Sequence, residues 1–139
     1  MKVPYKESPD GKGGRVYYAV LRVHVARPDP RAPRSKTIEA IVDSGATRTT
    51  FHAQIGRALG FDIEKGELEE PIGITGKAAK TYVHDIALYA PGGVIQTKAA
   101  FSDELPCAGL LGMRGFFEHF KVTFDSAANE LVLERIFRA

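Results

Sequence analysis

Residues 38–47 read IEAIVDSGAT, and the residue that decides their interpretation is Asp43. The five residues before it have the apolar, β-branched character of a buried strand, yet the strand ends on a carboxylate that Ser44 and Gly45 follow at once. Burying an ionised carboxylate without partners is costly. An aspartate in this position therefore either makes hydrogen bonds within its own turn or is used chemically.

The bulk composition limits the classes of protein to which the chain can belong. Its 139 residues are 44% hydrophobic, which predicts one globular domain over 16–139. Residues 1–15, rich in glycine, proline and charge, predict a flexible leader. A formal charge of +2 without a basic stripe does not suit a nucleic-acid-binding protein. With a single cysteine and no apolar segment of signal-peptide or membrane-helix length, we expect a soluble cytoplasmic protein.

Short strands dominate the pattern of the chain. β-branched and aromatic residues predict them at 16–26, 36–43, 94–101, 121–125 and 130–136. The spacing of apolar residues becomes helical at 51–61, which contains Gly60 near its end, and again around 113–120. We predict a mainly β domain with two short helices.

A glycine-bearing hairpin is predicted between residues 67 and 89. Ile72 and Ile74 alternate with Gly73 and Gly76 before the chain returns through a second strand. The charged run EKGELEE (64–70) that precedes it is expected to be a solvated loop face.

Three other chemistries do not fit the sequence. GITGK (73–77) resembles a phosphate loop, but Pro71 and Ala78 stand where that pattern needs Gly and Ser or Thr. Ser44 has no G-x-S-x-G context of a serine hydrolase. The histidines lack metal-ligand spacing, and Cys107 is expected to pack as a small apolar residue.

The segment VDSGAT resembles the Asp-Thr/Ser-Gly-Ala signature of the retropepsin-like aspartic proteases. Further features follow in that family's order across roughly residues 17–135: a helix that ends at Leu59-Gly60, the hairpin at 72–77, the triplet Leu110-Leu111-Gly112 and a closing strand pair. The resemblance implies a closed, mainly β barrel with a flap hairpin and one or two short helices. It also implies an aspartic endopeptidase that acts on extended peptides as a homodimer, without a cofactor or metal ion.

The resemblance assigns roles to individual residues. Asp43 is expected to be the catalytic carboxylate, and the residues expected to support its loop are Ser44, Gly45, Ala46 and Thr47. The flap residues expected to close over the substrate are Gly73, Ile74, Thr75, Gly76 and Lys77. The residues expected to pack beneath the Asp43 loop are Leu110, Leu111 and Gly112. The side chains expected to form subsite walls are Ile74, Val83, Phe101 and Leu110.

Aspartic proteolysis requires a second carboxyl group, because two carboxyls about 3 Å apart share one proton. The internal candidate is Asp125 in FDSAA, but Ala127 stands where a glycine is needed and no second flap accompanies it. We therefore predict a two-fold symmetric dimer in which Asp43 lies opposite its copy. The alternative is a catalytically silent dimerisation or peptide-binding module with the same fold.

The sequence departs from the retroviral pattern at two positions. Thr47 and Met113 stand where the retroviral enzymes have Asp and Arg, and Arg48 and Arg114 follow one position later. The retroviral ion pair between these two elements is therefore not expected in that form.

Overall fold

Strands make up most of the structure. The computed structural model describes residues 1–70 and 79–137. Its strands are β1 (Lys2–Pro4), β2 (Lys6–Pro9), β3 (Arg15–Tyr18), β4 (Val20–Ala26), β5 (Ile38–Val42), β6 (Thr50–His52), β7 (Glu67–Glu69), β8 (Thr81–Ala90), β9 (Gly93–Ser102), β10 (Gly109–Leu111), β11 (Phe120–Asp125) and β12 (Glu130–Arg135). The helix α1 (Ala53–Ala58) and a 3-10 helix (Ile63–Lys65) accompany them.

The largest sheet closes on itself. Its strands follow the order β4-β5-β10-β6-β9-β8, and β4 also pairs with β8, which closes a barrel of six strands. Strand β7 extends this sheet by pairing with the first residues of β8. Two neighbouring pairs are parallel, β5 with β10 and β6 with β9. The closed, mainly β fold predicted from the sequence is confirmed.

Strand β5 shows how the sequence makes a barrel wall. Ile38, Ala40 and Val42 are buried, whereas Glu39 and Ile41 between them are exposed, so the strand alternates between core and solvent. Burying a side chain such as Ile38 stabilises the fold by about 1.5–3 kcal/mol. The inward residues belong to one core cluster that includes Leu21, Phe51, Phe101, Phe116 and Leu131.

The first residues of the chain are part of the sheets, which corrects the prediction of a flexible leader over 1–15. Strand β1 pairs antiparallel with β12, and β2 forms a hairpin with β3. Val3 and Tyr5 also pack against the core cluster. Strands this short, with lysine and proline in them, depend on their tertiary partners, so local propensity does not predict them.

The helix predicted at 51–61 is present in its middle part as α1, but Phe51 and His52 belong to β6. Leu59 ends the helix, and Gly60 follows with a φ of +92°. The helix predicted around 113–120 was wrong, because residues 115–119 form turns. Gly115 has a φ of +97°, which a right-handed helix does not allow. Phe116 and Phe120 are nevertheless buried and stack with ring centroids 5.0 Å apart, so the apolar spacing reflects core packing rather than a helix.

The predicted hairpin is seen only in part. Strand β8 pairs with β7 before it and with β9 after it, but the predicted tip, 73–77, lies outside the described residues. The run EKGELEE is mostly exposed, as expected, but it is not a loop, since it contains the last two residues of the 3-10 helix and all of β7. Its residue Glu69 contacts the loop that carries Asp43, as described below.

Candidate active site

Asp43 directly follows β5, where the barrel wall ends in a tight turn. The Gly45 amide donates to Asp43 Oδ1 at 2.9 Å, and the Ala46 amide donates to the Asp43 carbonyl at 3.1 Å. A Cβ on Gly45 would lie 3.2 Å from the same carboxylate oxygen, so glycine leaves room for this approach. The side chain of Asp43 is half-buried. Its turn therefore fixes the carboxylate through one oxygen.

Among the residues that the structure describes, only one oxygen of the Asp43 carboxylate has a hydrogen-bond partner. Within residues 1–70 and 79–137, Asp43 forms no ion pair and accepts its one side-chain hydrogen bond from Gly45. If Asp43 served only to shape the turn at the end of its strand, this role would account for the hydrogen bond from Gly45 and for nothing else. No protein group among the described residues occupies the second oxygen.

A second loop, residues 111–114, holds the Asp43 loop from its other side. The Asp43 amide donates to the Leu111 carbonyl at 3.0 Å, and the Met113 amide donates to the Ala46 carbonyl at 2.8 Å. The Arg114 amide donates to the Thr47 carbonyl at 3.0 Å. The structure thus brings the predicted loop residues and the Leu110-Leu111-Gly112 triplet together.

The residues of this triplet occupy different environments. Leu111 is fully buried, and Leu110 is half-buried and pairs with Ile41 of β5. A Cβ on Gly112 would lie 2.8 Å from the Ala46 carbonyl oxygen and 2.8 Å from the Arg48 carbonyl carbon. Only a residue without a side chain allows the two loops to approach this closely.

Thr49 is a supporting residue that the sequence analysis missed. It is fully buried, and its hydroxyl accepts the Gly112 amide at 3.0 Å. Its own amide donates to the Arg114 carbonyl at 2.8 Å, and its carbonyl accepts the Ala100 amide at 2.9 Å. Thr49 therefore joins the Asp43 loop, the 111–114 loop and strand β9. Nothing local distinguishes this threonine from Thr47 or Thr50.

Arg48 and Glu69 form a second contact that was not predicted. The Arg48 guanidinium donates to both carboxylate oxygens of Glu69, at 3.2 and 2.9 Å. The Arg48 side chain is only 12% exposed and that of Glu69 is 31% exposed. The Glu69 carbonyl also accepts the Thr81 hydroxyl at 3.0 Å. This bidentate pair ties the Asp43 loop to β7.

We expect replacement of Glu69 by glutamine to lower the free energy of unfolding by about 1–2 kcal/mol, because Arg48 would keep its position without a counter-charge. The matched control is Asp103→Asn, which breaks a similarly bidentate pair with Arg57 whose side chains are 36% and 53% exposed. This control should lose less than about 1 kcal/mol. Urea unfolding at pH 7 measures the loss of unfolding free energy in both variants. Equal losses would contradict the expectation that the more buried ion pair contributes more.

Two of the expected subsite walls belong to the core. Phe101 is fully buried against Phe51 and Phe61, and Val83 is 6% exposed. These two assignments were wrong, because both strands turn these positions inward. Leu110 remains accessible enough to contact a substrate, and Ile74 lies outside the described residues.

Cys107 lies beside the start of β10, with its thiol donating to the Gly109 carbonyl at 3.7 Å. Burial raises the pKa of the Cys107 thiol. A raised pKa leaves less of the reactive thiolate at any given pH. At pH 8 we therefore expect iodoacetamide to modify Cys107 more slowly in the folded protein than in the same protein in urea. Mass spectrometry over time measures both rates, and equal rates would disprove this expectation.

Asp125 is placed apart from the Asp43 loop. It ends β11, in the sheet formed by β1, β12 and β11, and its Oδ1 accepts the Ala128 amide at 3.1 Å. It therefore acts as a turn aspartate of the β11–β12 hairpin. Within the described residues, no group of three or more His, Cys, Asp or Glu side chains is arranged to hold a metal ion.

The family of the chain follows from a sequence comparison. A family model described as aspartyl protease matches residues 34–114, more than half of the chain, and this range contains the Asp43 loop, β10 and most of the barrel. The chain belongs to the aspartyl protease family. No curated protein matches the sequence.

Solved structures identify the fold as retropepsin-like. A retropepsin-like aspartic protease from Rickettsia conorii matches with a TM-score of 0.58 and 18% identity, over 96% of this chain and 90% of that chain. The retroviral protease-like domain of Ddi1 from Leishmania major matches with a TM-score of 0.56 and 15% identity, over 85% of this chain and 90% of that chain. In the described residues of this chain, no helix is long and apolar enough to cross a membrane.

Proposed function

We propose that this protein is an aspartic endopeptidase in which Asp43 from each of two subunits forms the catalytic pair. The observation that carries the proposal is the carboxylate itself. One oxygen is held by Gly45, the other has no partner in the described residues, and the loop is fixed by Leu111 and Thr49. A rigid, half-exposed carboxylate with one free oxygen is what a shared-proton pair requires.

In the proposed mechanism, the pair holds one proton and polarises a water molecule. One carboxylate accepts a proton as the water attacks the peptide carbonyl, and the other donates its proton to the developing oxyanion or leaving nitrogen. We assign the second carboxyl to another subunit, because Asp125, the internal candidate, ends β11 in a different sheet from the strand that carries Asp43. Dimerisation is then a requirement of the chemistry.

The role proposed for Ser44, Gly45, Ala46 and Thr47 is to shape the loop that carries the carboxylate. Ser44 and Thr47 are exposed, which leaves their hydroxyls available to a second subunit or to substrate. The role proposed for the flap, residues 73–77, is to cover an extended peptide. This flap role rests on the sequence resemblance alone.

Cleavage of a mixed peptide library from about pH 4 to 7, read by mass spectrometry, tests the proposed activity. Products made by the wild type and absent from an Asp43→Asn protein support it. If neither protein yields products while a dimer is present, the protein is a peptide-binding or dimerisation module.

A subunit-mixing experiment tests the shared pair. If wild type and Asp43→Asn exchange freely, an equal mixture contains about one wild-type homodimer in four. Activity at constant total protein should then fall to about a quarter of the wild-type value. A fall to only half would mean that each subunit works alone.

A further inference from the structure

A groove lies at the end of the barrel opposite Asp43. Strands β5 and β10 are parallel, so Asp43 and Gly112 follow their carboxyl ends while Ile38 and Ala108 lie at their amino ends. Five residues of extended strand separate Ile38 from Asp43 by about 16 Å. The groove beside Ile38 and Ala108 is therefore distinct from the catalytic loop.

The groove consists of two adjoining hollows that flank α1. The first, about 410 Å³, lies between residues 35–38 and α1, and the second, about 430 Å³, lies between the start of α1 and residues 105–108. Gln54, Ile55 and Ala108 line both hollows. Because these residues border both hollows, the hollows adjoin, and together they form the trough.

The trough is mainly aliphatic. Ile38 and Leu59 form a nearly buried floor in the first hollow, and half-buried Ile55 separates it from the second. Ala58 and Ala108 are exposed at the sides. Short alanine side chains leave space above an apolar floor, which suits large aliphatic side chains of a partner.

The end of the trough formed by the first hollow is basic. Lys36 lines the first hollow, and Arg27 lies beside the end of α1, its Nε 3.7 Å from the position of a Cβ on Gly60. Neither cation forms an ion pair within residues 1–70 and 79–137. The loop 27–37 contains three arginines and a lysine against one aspartate. A carboxylate on the partner would complement this end.

We propose that the trough is a second binding site, for an extended peptide segment that carries two large aliphatic side chains and an acidic residue next to the first of them. The aliphatic side chains fill the two hollows, and the acidic residue lies against Lys36. This site does not depend on Asp43 being catalytic, since it lies on a different part of the barrel.

The test measures binding of two fluorescein-labelled peptides to the Asp43→Asn protein, which avoids cleavage of the probes. Both peptides carry two leucines separated by one alanine, preceded by Glu-Glu in one and by Lys-Lys in the other. We expect the Glu-Glu peptide to bind more tightly by fluorescence anisotropy. It should also shift the methyl NMR signals of Ile38, Ile55 and Leu59.

Two substitutions locate the peptide. Ala108→Arg fills the shared wall and should weaken binding at least about tenfold. Lys36→Glu should reverse the preference, so that the Lys-Lys peptide binds more tightly. The matched controls, Ala127→Arg and Lys12→Glu, change exposed residues in the turns of the other two sheets and should leave the affinity unchanged.

Three results would overturn the proposal. The first is the absence of methyl shifts with either peptide at millimolar concentration, and the second is unchanged affinity in Ala108→Arg. The third is a shift of the same methyl signals by octanoate but by neither peptide, which would assign the trough to acyl carboxylates. None of these results involves catalysis, so failure here is separate from failure of the proposed peptidase activity.

Discussion

Replacing Asp43 by asparagine is expected to lower kcat/KM for peptide hydrolysis at least about a thousandfold, because the amide can neither accept nor share the proton that the mechanism moves. Asparagine keeps an oxygen that accepts the Gly45 amide, so the turn should keep its shape. The unfolding midpoint in urea should stay close to that of the wild type. Steady-state hydrolysis of a peptide identified from the library measures the effect.

The chain offers a matched control for this substitution at Asp125. Asp125→Asn also keeps its acceptor oxygen, here for the Ala128 amide, and changes a similar Phe-Asp-Ser context. It should retain wild-type activity. If Asp125→Asn lost activity while keeping a normal urea midpoint, the result would favour a catalytic pair formed by Asp43 and Asp125 within one chain. If Asp43→Asn retained activity, Asp43 would not be a catalytic residue.

The residue pattern predicted the strands, and the family resemblance implied that they close into a barrel. In β5 the apolar, β-branched run predicted a strand, but its exposed Ile41 shows that the sequence did not tell which face is buried. The helix predicted around 113–120 was wrong because the same apolar spacing suits a turn with two buried phenylalanines, Phe116 and Phe120. In residues 113–120, the spacing of apolar residues thus predicted which side chains are buried but not the conformation of the backbone.

The contact within the Asp43 motif was predictable from the sequence, whereas two long-range contacts of the candidate site were not. Asp43 and the glycine that holds its oxygen lie two residues apart, so the motif contains the contact. Thr49 and Gly112 are 63 residues apart, and Arg48 and Glu69 are 21 apart. A threonine or an arginine has many structural uses, and only the fold selects the partner. The contacts of Thr49 and Arg48 therefore had to come from the structure, whereas the family resemblance had already implied that Leu110, Leu111 and Gly112 lie against the Asp43 loop.

Replacing Gly112 by alanine is expected to lower the free energy of unfolding by about 3 kcal/mol. The added Cβ would lie 2.8 Å from the Ala46 carbonyl oxygen and 2.8 Å from the Arg48 carbonyl carbon. Both atoms belong to the backbone, so neither can rotate away as a side chain would. The two loops must separate, which stretches the 2.8 Å bond from the Met113 amide to Ala46.

The matched control is Gly14→Ala. Its Cβ would lie 2.5 Å from an Asp10 side-chain oxygen, a closer nominal approach than at Gly112. Asp10 is exposed, however, and its carboxylate can move into solvent. The loss should stay below about 1 kcal/mol. Similar losses of unfolding free energy in the two variants would mean that the Asp43 loop and the 111–114 loop can move apart at little cost.

Activity separates a loss of stability from a loss of alignment. If the 111–114 loop positions Asp43, Gly112→Ala should lower kcat even at temperatures where the variant is fully folded. Thr49→Val provides a milder form of the same change, since it leaves the Gly112 amide without its acceptor at a cost of about 1–2 kcal/mol. If both variants fold and keep the wild-type kcat, the loop contacts serve stability alone. Reduced kcat in Thr49→Val, with the Gly14→Ala control unaffected, would mean that the geometry of the carboxylate depends on residues far from it in sequence.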